Sequence, residues 1–272
     1  MSDCQFGIIG GGVMGEALLS RLLAQEVYVP DRVWVVEPQP RRAGQLERQY
    51  GVRIAVDAAE TIAHAEELLL AVKPQVFEAI APTLLAATKT ATDGAPLVVS
   101  IMAGVPLSKL EEIFPGRPIV RAMPNTPATV GAGVSAIAPG QLVEPQHLDR
   151  AKRILEAVGK VLEVPESLMD AVTGLSGSGP GYVAVFVEAL IDGGVAVGLP
   201  REIATQLAIS TLKGTAQLLE ESEMHPAQLK DRVTSPGGTT IAGIACLERG
   251  GLRSASIEAV RASCNRAREL GG

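Results

Sequence analysis

Near the start of the chain stands Phe6-Gly-Ile-Ile-Gly10-Gly-Gly12-Val-Met-Gly15, a short apolar run that stops at glycines and leads into a helical pattern over 14–23. Four apolar residues without polar alternation read as a buried strand. The spacing of Gly10, Gly12 and Gly15 matches a phosphate-binding turn. There, glycine lets the chain turn tightly and brings bare N–H groups up to a pyrophosphate, while the following helix start favours anions. Such turns also occur for packing alone; the strand before and the helix after give this one its weight.

Working outward, further apolar runs stand at 33–36, 68–72, 97–100, 118–121 and 135–138, with helical patterns at 41–49, 76–85 and 107–113. Strands that do not alternate, separated by helices, indicate parallel β-α-β units covered on both faces. A helix over 150–158 and an edge strand over 160–164 close this part. Beyond Pro165 strand signals vanish, and helices are expected over 181–197, 201–221, 226–233, 239–249 and 256–270. The expected fold is α/β: an N-terminal Rossmann-type doubly wound parallel sheet over residues 1–164 and an all-α domain over 165–272. The late helices are apolar on too many faces for a monomer.

Composition narrows the function. Of 272 residues, 47% are hydrophobic, which excludes disorder, and only 3% are aromatic, so the core is aliphatic. A net charge of −6 argues against a nucleic-acid or membrane-surface binder. The uncharged run 122–143 is broken by prolines and glycines. The apolar stretch 183–197 is too short to span a bilayer, and no basic segment precedes the first apolar run, so a soluble protein without a signal peptide is expected. Cys4, Cys246 and Cys264 cannot all pair within one chain, which fits a reducing cytoplasm.

Two places carry chemistry. Glu37 ends the second strand 22 residues after Gly15, where an acidic group usually holds ribose hydroxyls; Gln39, Arg41 and Arg42 follow at once, and guanidiniums there could hold a 2′-phosphate. The residues leave NAD and NADP open. The second place is Ser235-Pro-Gly-Gly-Thr-Thr240, which runs into an apolar helix. Its glycines expose N–H donors and its hydroxyls add more, making either a receptor for a small carboxylate or a simple helix cap. Both readings stand on the segment alone. A cleft holding this turn and the nucleotide turn would hold both reactants. Lys73 follows the third strand, Arg121-Ala-Met-Pro-Asn-Thr-Pro127 follows the fifth, and Glu223 and His225 lie in a polar loop. His64 and His147 read as surface residues, and no spacing suggests a metal site.

Taken together, Gly10-Gly-Gly12-Val-Met-Gly15, Ala71-Val-Lys-Pro-Gln75, Ser100-Ile-Met-Ala-Gly-Val105, Arg121-Ala-Met-Pro-Asn-Thr-Pro127, Leu175-Ser-Gly-Ser-Gly-Pro180 and Val233-Thr-Ser-Pro-Gly-Gly-Thr-Thr-Ile241 resemble the pyrroline-5-carboxylate reductases. The resemblance runs nearly the whole chain in order. It implies reduction of L-1-pyrroline-5-carboxylate to L-proline by hydride from NADPH, with NADH as the other candidate, and a homodimer through the helical domain that assembles further, commonly into decamers. It assigns the substrate carboxylate to Ser235, Gly237, Gly238 and Thr239, the imine nitrogen to Thr240 as the catalytic contact, and the amine side to Glu223. It assigns the cofactor to Ile9, Gly10, Gly11, Gly12, Val13, Met14, Glu37, Gln39, Ala71, Val72, Lys73, Pro74, Ile101, Met102 and Ala103. Some relatives carry a small polar group in place of Glu37, and many carry Asn in place of Ala58.

A β-hydroxyacid dehydrogenase shares the layout but resembles its relatives in a lysine on the long interdomain helix, and 181–197 has none. A non-catalytic dinucleotide sensor would need the glycine turn but not 235–240.

Overall fold

The computed structural model describes residues 4–90 and 96–271. Residues 1–3, part of the stretch read for a leader, lie outside the described residues.

Eight strands form one sheet: β1 (Cys4–Ile9), β2 (Val33–Val36), β3 (Arg53–Ile54), β4 (Ala65–Leu70), β5 (Leu97–Ser100), β6 (Ile119–Met123), β7 (Gly133–Pro139) and β8 (Gly159–Glu163). Their spatial order is β3-β2-β1-β4-β5-β6-β7-β8. Every pair is parallel except β6–β7. The exception has a simple cause: the link between those two carries only a 3-10 turn at Thr126–Val130, too little for a crossover helix.

Helices α1 (Val13–Ala24), α2 (Pro40–Tyr50), α3 (Ala58–His64), α4 (Pro74–Thr90), α5 (Leu107–Ile113) and α6 (Pro145–Glu156) accompany the sheet. The uninterrupted apolar strands feed two cores. Phe6, Ile8, Leu69 and Val99 pack with Leu18, Leu22 and Leu155 on one side, while Ile9, Leu68, Leu70 and Val98 pack with Phe77, Leu84 and Leu110 on the other. A strand buried on both faces has no place for the polar alternation of a one-sided sheet.

Several details depart from the sequence reading, among them α4, which runs five residues past the expected 85, and α6, which starts five before the expected 150. β3 and α3 were not expected, because a two-residue strand and a two-turn helix leave almost no periodic signal. α12 (Leu252–Gly271) starts four residues earlier than the expected 256. The third expected strand, 68–72, instead runs from Ala65 to Leu70, beginning through two glutamates. Glu67 is buried there because its charge is met: it accepts from the Tyr28 hydroxyl, from Arg150 Nε at 2.6 Å and from Arg153 at 3.3 Å. Ala71 and Val72 therefore lie in the turn after the strand, not within it.

After β8 the chain is helical: a 3-10 turn at Glu166–Leu168, α7 (Met169–Val172), a π-helical turn at Thr173–Gly177, then α8 (Gly179–Ala196), α9 (Arg201–Ser222), α10 (Pro226–Arg232), α11 (Thr239–Arg249) and α12. By contacts the chain divides into two compact units, Met1–Gly177 with Ala262–Gly272, and Ser178–Arg261, whereas the sequence division was 1–164 and 165–272. The first unit thus gathers the end of α12. Within the second, Val183, Val185, Ile203, Leu207 and Ile209 are exposed on a lone chain. By length and composition the helical run Glu166–Ala196, 31 residues, is long and apolar enough to cross a membrane, unlike the shorter 183–197 stretch read from the sequence.

Candidate active site

The C-terminal ends of the central strands stay tied beyond the strands themselves. Gly10 N–H donates to the Val36 carbonyl at 3.0 Å, Ala71 N–H to Ile9 at 2.9 Å, and Ile101 N–H to Leu70 at 3.0 Å. The strand order reverses between β1 and β4, the switch point at which open α/β sheets bind ligands. Ile9, Gly10, Ala71 and Ile101 are all at that edge.

Gly10 has φ +107°, and a Cβ there would lie 2.7 Å from the Ala71 carbonyl oxygen. Glycine is therefore required twice over, by backbone region and by space. A Cβ at Gly15 would sit 2.3 Å from the Gly10 carbonyl, so the start of α1 can close onto the turn only without one. Gly12, the N-cap of α1, supplies no side-chain cap, and a Cβ on it would meet nothing. The first N–H groups of α1 thus look for an acceptor beside open space. A recess of about 290 Å³ lies there, lined by Gly12, Val13, Glu16, Glu37, Gln39 and Arg42.

Glu37 reaches back into the turn. One carboxylate oxygen accepts from Gly11 N–H at 3.1 Å and the other from Gln39 N–H at 3.0 Å. Arg42 Nε donates to the Gly11 carbonyl at 2.8 Å, and its guanidinium pairs with Glu16. The second oxygen of Glu16 accepts from the Tyr50 hydroxyl at 3.0 Å; burial, then the Glu16 hydrogen bond and charge, push that phenol up. Arg42 is thus held at the turn, whereas Arg41 is exposed. Glu16 and Tyr50 were not singled out in the sequence; an acid in the first turn of a helix that opens at a glycine turn was the available signal for Glu16. Bare N–H donors, a turn without Cβ atoms and a carboxylate at the end of β2 fit a dinucleotide.

Of the remaining expected cofactor residues, Met102 is buried and Ala103 exposed in the loop after β5, while Lys73 is exposed and Pro74 opens α4. Asn125 holds the 121–127 segment in shape: its Oδ1 accepts from Val134 N–H at 3.0 Å and its Nδ2 donates to the Ser176 carbonyl at 3.2 Å.

The second turn lies in the other compact unit. Gly237 takes φ +68°, Gly238 N–H donates to the Ser235 carbonyl at 3.0 Å, and Gly238 then caps α11. No side chain caps that helix. The capping alternative for Thr239 and Thr240 is thereby removed, and the first N–H groups of α11 lack an acceptor from within the helix. Ser235, Gly237 and Thr239 are exposed, and Gly238 and Thr240 half-buried. Glu223 caps α9 with φ +52°, a left-handed backbone unusual for a glutamate. His225 caps α10, its Nδ1 accepting from Ala227 N–H at 3.2 Å. A recess of about 420 Å³ beside it is lined by His225, Lys230, Ile244, Glu248 and Arg253 among others, and by none of the expected substrate residues. Among the described residues no group of three or more His, Cys, Asp or Glu could hold a metal ion.

Residues 166–270 match the pyrroline-5-carboxylate reductase dimerisation family, and residues 5–104 match a family described as NADP oxidoreductase, coenzyme F420-dependent. A pyrroline-5-carboxylate reductase of Synechocystis sp. is 57% identical over 267 residues, covering 98% of each chain. The chain belongs to the pyrroline-5-carboxylate reductase family. Among solved structures the reductase resembles that of Coxiella burnetii (TM-score 0.90, 34% identity, 99% of each chain) and that of Plasmodium falciparum with NADP bound (TM-score 0.88, 29% identity, 100% of each chain).

The chain is accordingly an NAD(P)H-dependent reductase that makes L-proline from L-1-pyrroline-5-carboxylate, the last step of proline biosynthesis. The dimerisation match spans the helical run Glu166–Ala196 and the exposed apolar residues of α8 and α9.

Proposed function

We propose that this reductase holds the substrate carboxylate on Ser235, Gly237, Gly238 and Thr239, sets the imine nitrogen against Thr240, and places Glu223 on the amine side. The observation that carries this reading is the uncapped start of α11. Gly237 and the first residues of α11 bring N–H donors to a helix start without a side-chain cap, Gly238 N–H being already given to the Ser235 carbonyl, and such a helix start accepts a carboxylate readily. A ring imine is basic enough to be protonated near neutral pH, so its N–H donates to Thr240 Oγ1. The carboxylate of Glu223 adds negative charge for the iminium. No general acid is required, and the work of these residues is orientation and charge complementarity.

The cofactor reading assigns Ile9, Gly10, Gly11, Gly12, Val13 and Met14 to the pyrophosphate, Glu37 and Gln39 to the adenosine ribose, and Ala71, Val72, Lys73, Pro74, Ile101, Met102 and Ala103 to the strand ends where the nicotinamide half rests. The reduced nicotinamide, when bound, supplies the hydride. We further infer a functional division into a dinucleotide-binding part, 1–164, and a substrate and dimerisation part, 165–272, with dimers assembling further, as in a decamer, in the cytoplasm. Buried Cys4 and Cys264, thiols outside any disulfide and used as small core residues, support a reducing compartment.

A crystal soaked with proline tests the substrate reading. Density for the carboxylate on the N–H groups of 237–240 is expected; density elsewhere, with that turn empty, would overturn it.

A further inference from the structure

The segment 101–106, between β5 and α5, is tied at both ends to a single ion pair. Glu166, first residue of the 3-10 turn Glu166–Leu168, accepts with one carboxylate oxygen from Leu107 N–H at 2.6 Å and from Arg121 at 3.0 Å. Leu107 is the first residue of α5, whose N-cap Pro106 offers no side-chain cap, so an orphan N–H of that helix is satisfied from 59 residues away. At the other end, Arg121 of β6 stands in register with Ser100, the last residue of β5. The Arg121 side chain is only 7% exposed. A cation so buried stays where its counter-charge holds it, because moving away leaves it unpaired. Between these two anchors, Met102 and Val105 drop into the core and Gly104 turns the chain with φ +76°. Ala103 is left exposed.

We propose that Glu166 is a positioning residue for the reaction: through Leu107 and Arg121 it fixes the loop 101–106 in the shape that receives the cofactor. This rests on the assignment of Ile101, Met102 and Ala103 to the cofactor. A loop shaped before binding needs no ordering afterwards, so losing the anchor appears as lost affinity. Glu166→Gln retains an oxygen for Leu107 N–H but not the charge for Arg121; Glu166→Ala removes both.

The test measures NADPH dissociation constants from the fluorescence of NADPH on binding, without turnover, together with Tm and the KM for pyrroline-5-carboxylate. Glu166→Gln is expected to weaken NADPH binding several-fold and Glu166→Ala by about tenfold, with the KM for pyrroline-5-carboxylate within about twofold of the parent. Ala103→Leu, at an exposed position, reports on the loop itself and is expected to weaken NADPH binding. If Ala103→Leu weakens NADPH and neither Glu166 variant does, the positioning role is wrong and the loop assignment stands. If Ala103→Leu leaves NADPH affinity unchanged, the loop assignment fails and the proposal fails with it. Equal weakening of NADPH and pyrroline-5-carboxylate would mark a general structural role and overturn the proposal. Should Glu166→Ala not fold, Glu166→Gln carries the test.

Discussion

Glu37, at the end of the second strand, accepts a hydrogen bond at 3.1 Å from the backbone N–H of Gly11, 26 residues earlier in the chain. The carboxylate expected to face the ribose thus also holds the glycine turn, and Arg42 grips the carbonyl of the same Gly11 from the other side. One residue of the turn is fixed by opposite charges. Changes at either side chain therefore alter turn geometry as well as local charge.

The negative charge of Glu37 opposes a 2′-phosphate. Glu37→Ser is expected to raise the ratio of kcat/KM for NADPH over NADH by about tenfold, the change that 1.4 kcal/mol makes. Both absolute values should fall somewhat, because Gly11 N–H loses its acceptor. Steady-state kinetics with each cofactor decides; an unaltered ratio would place the choice with Arg41, Arg42 or the backbone.

Gly10→Ala meets the Ala71 carbonyl at 2.7 Å in a backbone region that alanine resists. A stability loss of about 1–3 kcal/mol is expected, together with loss of NADPH binding. Urea unfolding and NADPH fluorescence measure the two separately.

Thr240→Ala removes the proposed contact to the imine nitrogen while leaving the backbone donors of α11. It should lower kcat with pyrroline-5-carboxylate by about 10- to 100-fold and leave the NADPH dissociation constant unchanged. Parent-like turnover would remove Thr240 from the mechanism.

The Cys4 thiol, buried with Trp34, Ala55 and Ala65, is pushed from 9.0 up to about 12, chiefly by burial. The unfolded thiol ionises above pH 9 while the folded one does not. Folding stability from this group is therefore intact below pH 9 and falls as pH rises toward 12, by at most about 1.4 kcal/mol per pH unit. The difference in unfolding free energy between the parent and Cys4→Ala should shrink in that sense from pH 8 to 10.5. A constant difference would refute it.

Val185 is 67% exposed on a lone chain and lines an apolar groove of about 640 Å³ with Tyr182, Phe186, Ala255 and Ala259. In the dimerisation domain, Val185→Asp should lower the apparent mass in light scattering by burying an unpaired charge at the contact. Circular dichroism of the variant checks that its helices remain.

Local spacing was enough to read the alternation of strands and helices, the glycine turn and the Ser-Pro-Gly-Gly-Thr-Thr turn, because each depends on neighbours a few residues apart. A buried strand must be apolar along its length, and a turn with φ +107° must carry glycine, whatever surrounds them. The start of β4 at Ala65 was hidden because Glu66 and Glu67 look solvent-facing until Tyr28, Arg150 and Arg153 are seen around Glu67. The antiparallel turn into β7 and the short β3 were hidden likewise, since neither has a period of its own.

Motif spacing along the chain was sufficient for the kind of protein and for the two turns at which the ligands are proposed to bind. Only the folded chain decided what the charged side chains do: that Glu37 and Arg42 clamp Gly11, that Glu166 closes one loop with Arg121 and Leu107, and that α11 begins uncapped. The reason is physical. Apolar burial and backbone torsion are set by each residue and its near neighbours, whereas a charge takes its meaning from whichever opposite group folding brings within about 3 Å, and the chain order says nothing of that distance.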